Sequence, residues 1–147
     1  MTEFRTWAIK ELRSLNGLKF SEQHILQEME TFKAEVAAIK ASSYDKMPSA
    51  TGENFTEEKI LNVLSRQDEQ AKNLEMTRRK IADIERLLDQ MPPDERHVIE
   101  RTIIDSYKGV YDDFADEMHV DVRQVYRKRA QAIDTYARLK FGAGYRP

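Results

Sequence analysis

The sequence predicts an all-α protein: a long antiparallel helical hairpin followed by a C-terminal three-helix unit of the helix-turn-helix kind. Three observations predict it. Apolar residues recur at helical three-and-four spacing over long stretches, and strands have little support. Only 5 Gly and 4 Pro interrupt 147 residues, of which 34% are charged, the composition of a helix-rich chain with much solvated surface. The Pro92-Pro93 pair then cuts the pattern, because proline lacks an amide hydrogen and the residue before it avoids helical torsions. Two domains are therefore expected: a helical, coiled-coil-like region over 1–91 with a loop at 42–54, and a helix-turn-helix domain over 92–147.

Phe4, Trp7, Ala8, Leu12 and Leu15 lie near one side of a short helix from Thr2 to Leu15, and Asn16-Gly17 is expected to stop it. A second helix starts at Ser21, where Ile25, Met29, Phe32, Val36 and Ile39 follow a helical seam, and ends near Ala41. Ser42 to Asn54 holds Ser, Pro, Gly and Thr with few apolar residues, so it is expected to be a loop. From Phe55 to about Met91 no Pro or Gly intervenes, and Ile60, Leu64, Ala71, Leu74, Ile81, Ile84, Leu88 and Met91 mark one apolar side. A lone helix this polar is marginal, so it is expected to pair with the second helix, and its excess length with Thr2 to Leu15 or with another copy. Pro93, Asp94 and Glu95 suit the start of the next helix. Val98, Ile99, Ile103 and Tyr107 form its core face, with Ile104 nearby, to pack on Phe114, Met118, Val125 and Ile133, and Gly109 ends it.

Tyr111 to Ala132 reads as two short helices joined by a tight turn. Phe114, Ala115 and Met118 share a face of the first, Val120 closes the turn, and Val122, Val125 and Arg129 share a face of the second. Asp121 is placed to cap the second helix, with Gln124 three residues on in capping-box position. Arg123, Gln124, Arg127, Lys128 and Gln131 then project from one exposed ridge, a set of guanidinium, ammonium and amide groups that suits base edges in the major groove. Lys128, Arg138 and Lys140 are expected to meet phosphates. An ordinary solvated face has similar composition; the position in the second helix of the motif favours DNA. Tyr126 can stack on a sugar or base, or pack on Tyr107 or Tyr111. Arg129 faces inward and is expected to snorkel or to pair with Asp116 or Glu117.

The net charge of −2 argues against a protein that coats nucleic acid, but charge is unevenly spread. From Asp121 to Pro147 seven positive residues face two negative ones, whereas Asp112, Asp113, Asp116 and Glu117 form an acidic patch just before. That patch repels phosphates, so the first helix of the pair should face elsewhere, as a solvated surface or toward a polymerase. Zero Cys excludes disulfides and thiolate metal sites. No apolar run approaches the roughly 20 residues of a membrane span, and Met1 to Asn16 lacks the apolar centre of a signal peptide; a cytoplasmic location is expected. His24, His97 and His119 are scattered, and only His97 with Glu100 makes a metal-like pair. No nucleophile elbow, Gly-rich phosphate loop or HExxH sequence is present. No catalytic residue, cofactor or metal is therefore expected.

The order of these parts resembles the ArpU and RinA-like regulators of phages of Gram-positive bacteria, whose C-terminal half is similar to region 4 of sigma factors. The likeness is carried by SSYDKMPSATG at Ser42 to Gly52, MPPDERHVIERTIIDSYKG at Met91 to Gly109, and VRQVYRKRAQAI at Val122 to Ile133, and covers roughly Ser21 to Phe141. It implies transcription activation of late phage genes in a bacterial host, through binding of double-stranded promoter DNA and contact with host RNA polymerase. Where those relatives often have glycine in the turn, this chain has His119, which tolerates positive torsion better than most bulky residues. The long helical extension also fits a small terminase subunit, which recognises phage DNA and assembles as a ring. A third alternative is a helical scaffold that binds protein only.

Overall fold

Among the described residues the chain forms five α-helices: α1 (Glu3–Tyr44), α2 (Ala50–Asp89), α3 (Pro93–Ile99), α4 (Val110–Met118) and α5 (Val122–Phe141). A π turn at Glu100–Ile104 extends α3, and a 3-10 turn at Gly142–Gly144 follows α5. The structure, a computed structural model, describes residues 2–44 and 50–147, with side chains outside that description at 43, 44 and 50–55. Among the described residues the fold is all-helical, without a strand. Two compact units divide it, one formed by Met1–Lys19 and Lys80–Pro147, the other by Phe20–Arg79. The division differs from a boundary at Pro92, because the start of α1 and the end of α2 supply core to the C-terminal helices.

In the larger unit Ala8, Leu12 and Leu15 of α1, Ile84 and Leu88 of α2, Ile99 and Ile103, and Ile133, Tyr136 and Ala137 of α5 bury together. A second cluster joins Val98, Phe114, Ala115 and Val125, flanked by Tyr111, Val120 and Val122. Thus α5 serves one cluster with its first turns and the other with its last. Polar links fasten its far half to α1 and to the C-terminal segment: Arg5 gives two hydrogen bonds to the Asp134 carboxylate, at 2.6 and 2.8 Å, and the Tyr145 hydroxyl donates to Asp134. The buried Tyr136 hydroxyl donates to Glu11 at 3.0 Å.

Asn16-Gly17 does not stop a helix; α1 runs through it. Leu12, Leu15 and Leu18 continue one packed stripe across Gly17, and the Asn16 amide donates to the Ile104 carbonyl (3.1 Å) and to Asp105 (2.9 Å). That burial outweighs the cost of about 1 kcal/mol for glycine inside a helix. Helical backbone also covers Ser42–Tyr44 and the stretch from Ala50. Of the loop expected at 42–54, only 45–49 is left, and it lies outside the described residues. Ser, Thr and Gly cost a helix at most about 1 kcal/mol each, which a helix already nucleated absorbs.

In the smaller unit the α1 seam Ile25, Met29, Phe32, Val36 and Ile39 is buried or half-buried, as its spacing predicts. On α2 the seam runs through Ile60, Val63, Gln67, Gln70, Leu74 and Thr77, so Leu64 and Ala71 point outward, contrary to expectation. Gln70 belongs in the seam because its amide donates to Glu28. Glu22 pairs with Arg78 at 3.7 Å and Glu35 with Arg66 at 3.5 Å. Partners descend α2 as they climb α1, so the two stretches run antiparallel.

Candidate nucleic-acid interface

The geometry of α4 and α5 is set by the three residues between them. His119 adopts left-handed torsions, φ 54° and ψ 43°. Its amide donates to the Asp116 carbonyl (3.2 Å) and the Val120 amide to the Ala115 carbonyl (3.0 Å), the pair of bonds that closes a Schellman motif. Val120 and Ala115 meet in the same apolar cluster, which completes it. The chain then extends at Asp121 (φ −69°, ψ 147°), whose carboxylate accepts the Arg123 amide at 3.0 Å and so satisfies an orphan donor of the new helix. The cap expected at Asp121 is present. The reciprocal half of a capping box is not, since no side-chain bond from Gln124 joins it among the described residues; its backbone amide donates to the Asp121 carbonyl at 2.9 Å.

The helix before α4 ends earlier than expected. Asp105 donates to the Glu100 carbonyl at 2.8 Å, an i+5 bond, and helical structure stops at Ile104. Gly109, expected to end that helix, instead caps the start of α4 with φ 93°, a torsion open to glycine at little cost. Tyr107 and Met118, expected in the core, are 51% and 43% exposed. Tyr107 lies beyond the shortened helix, and its hydroxyl donates to Asp113 at 2.7 Å. Met118 is the last residue of α4, where the packing surface runs out.

Val125 is buried while Arg123, Gln124, Arg127 and Gln131 are exposed and Lys128 is half-buried. Among the described residues Arg123, Arg127 and Lys128 form no ion pair. Two arginines of the neighbouring helix contrast with them: Arg96 bonds Asp89 and Glu100, and Arg101 grips Glu117 with bonds of 2.5 and 2.9 Å. Through that bond Arg101 holds the Glu117 carboxyl below its ordinary range, against the effect of desolvation. Arg129 therefore does not pair with Glu117; its Nε is buried without a hydrogen-bond partner among the described residues. The negative groups of α5 are engaged as well, Asp121 in the cap and Asp134 with Arg5. Its first turns are left with uncompensated positive charge.

Further along α5 two sequence-predicted phosphate ligands differ from the ridge. Lys140, although exposed, is ion-paired to Glu11, so its charge is already balanced within the protein. Arg138 is exposed and lies over the Tyr145 ring, 5.9 Å from its centre. Tyr126 stacks on Tyr111, with ring centres 4.6 Å apart and planes 10° from parallel, which selects Tyr111 over Tyr107 as its neighbour. On α4, Asp112 and Asp116 are exposed, whereas Asp113 and Glu117 are occupied by Tyr107 and Arg101. Sequence reasoning missed the Arg101–Glu117 clamp, although both lie on helical faces flanking the buried Phe114, over which Arg101 also sits at 5.2 Å. Among the described residues no group of three or more His, Asp or Glu gathers as a metal would need, and no helix is long and apolar enough to cross a membrane. Compared with known proteins, the chain matches no family model, no curated protein and no solved structure.

Proposed function

We propose that the protein is a sequence-specific DNA-binding transcriptional activator in which α4 and α5 act as a helix-turn-helix and α1 and α2 as a helical hairpin that carries it. The observation that supports this most is the row Arg123, Gln124, Arg127, Lys128 and Gln131: exposed or half-buried, without a carboxylate partner among the described residues, and borne on a capped helix whose opposite side is buried in two cores. A positive helix face that the fold does not neutralise is suited to a polyanion. In this reading Arg123 and Arg127 address base edges, Gln124 and Gln131 add amide contacts, and Lys128 and Arg138 meet phosphates. Action at late promoters of a phage or prophage, together with host RNA polymerase, rests on the sequence resemblance.

Selection of bound duplexes from a random pool tests the reading. A single enriched motif is expected, located upstream of a late operon, and Arg127→Ala is expected to abolish its enrichment while the circular dichroism stays unchanged. Recovery of no motif, or undiminished binding by the Arg127→Ala protein, refutes it.

A further inference from the structure

A groove of about 380 Å³ lies within the larger unit, away from the exposed row of α5, between the first turns of α1, the end of α2 and the end of α5. Its apolar surface comes from Trp7 and Leu18, beneath which the buried Ile84 forms the floor, and its cationic groups are Lys10, Lys80 and Lys140. Trp7 is 47% exposed, yet one side of its ring is braced, edge-on to Phe4 at 5.8 Å and tilted against Phe141 at 6.0 Å, two rings that themselves lie 5.0 Å apart. An indole fixed in place and half open to water is a ready contact surface, since little rotamer entropy is lost when it is covered. Lys140 is neutralised by Glu11. Lys10 and Lys80 are exposed and form no ion pair among the described residues.

We propose that this groove docks a segment of a partner protein in which an aliphatic anchor is flanked by carboxylates. The anchor fits the surface of Trp7 and Leu18, and the carboxylates fit Lys10 and Lys80. Charge complementarity selects an acidic partner, and the apolar floor selects a peptide over a nucleic-acid backbone, which offers phosphates but no aliphatic group to bury. Rim charges of this kind set specificity and association rate, while the desolvated aromatic supplies most of the affinity. This inference does not depend on DNA binding by α5.

Trp7 is the only tryptophan of the chain, so its fluorescence reports on the groove alone. The full-length protein is titrated with a short synthetic peptide of Asp and Leu, blocked at both ends, and with the same peptide carrying Lys for Asp. A saturable shift of tryptophan emission is expected with the acidic peptide only, weakened by salt. Lys10→Glu with Lys80→Glu is expected to weaken it roughly tenfold or more. The acidic and basic peptides on the unaltered protein decide the matter even if the double variant is unstable. Lack of saturation, an equal response to the basic peptide, or unchanged affinity in a folded double variant overturns the proposal. So does an equal emission shift with duplex DNA, which makes the groove a nucleic-acid surface, or a shift on raising protein concentration alone, which makes a second copy its occupant.

Discussion

Arginine has opposite fates in two regions of this molecule. In Phe20–Arg79 every arginine is paired: Arg66 with Glu35, Arg78 with Glu22, and Arg79 with Glu75. In the first turns of α5, Arg123 and Arg127 have no such partner among the described residues. The paired set follows from two polar helices lying side by side, where carboxylates and guanidinium groups meet along the seam or one turn apart. Such exposed pairs contribute little, about 0–1 kcal/mol each. The unpaired set arises because α5 turns its carboxylates to other work, Asp121 to its own cap and Asp134 to Arg5. Cations left open in this way add nothing to the fold, which is why they are the natural candidates for binding.

The contrast can be broken most directly at the open pair. Replacing both Arg123 and Arg127 with Ala is expected to weaken specific duplex binding on the order of 100-fold or more, at about 1–3 kcal/mol per bidentate base contact, with the melting temperature almost unchanged. A loss of stability instead of binding makes these arginines structural. Salt sharpens the same point: with about two phosphates neutralised by Lys128 and Arg138, duplex affinity should fall on the order of 10-fold between 50 and 200 mM salt. A flat response removes phosphate contact from the account.

Asp134 tests the paired side. Burial favours its neutral form, but hydrogen bonds from Arg5 and Tyr145 prevail and hold its carboxyl below the ordinary value. A group whose folded value is depressed stabilises the fold above its unfolded value and loses that contribution as pH falls through the folded one. Thermal melts of Asp134→Asn should therefore show a loss of about 1–2 kcal/mol near neutrality, shrinking below about pH 4 as the unaltered protein becomes protonated. A difference that stays constant with pH contradicts the Arg5–Asp134 bond as its cause. The smallest effect is expected at Arg79→Ala, within about 0.5 kcal/mol in denaturant melts and without change in duplex affinity. A larger change there means that the paired arginines do more than decorate the helices.

Much of this was legible along the chain because it is local. The α1 seam from Ile25 to Ile39, the Asp121 cap, the positive torsion at His119 and the inward Val98, Ile99 and Ile103 depend on neighbours within a turn or two. The misread positions depend on residues far away. Asn16-Gly17 looks like a stop until Ile104 and Asp105 take the Asn16 amide. Lys140 looks like a phosphate ligand until Glu11 reaches it, and Val63 replaces Leu64 in the seam because the register with α1 decides which side is covered.

Periodicity, proline placement and capping residues sufficed to establish an all-helical chain with a basic final helix, since helix formation answers to side chains three and four positions apart. Which cations stay open was settled only when α1 and α5 came together. An ion pair forms wherever opposite charges arrive within about 4 Å, and partners as distant in sequence as Arg5 and Asp134, or Glu11 and Lys140, leave no trace in local spacing.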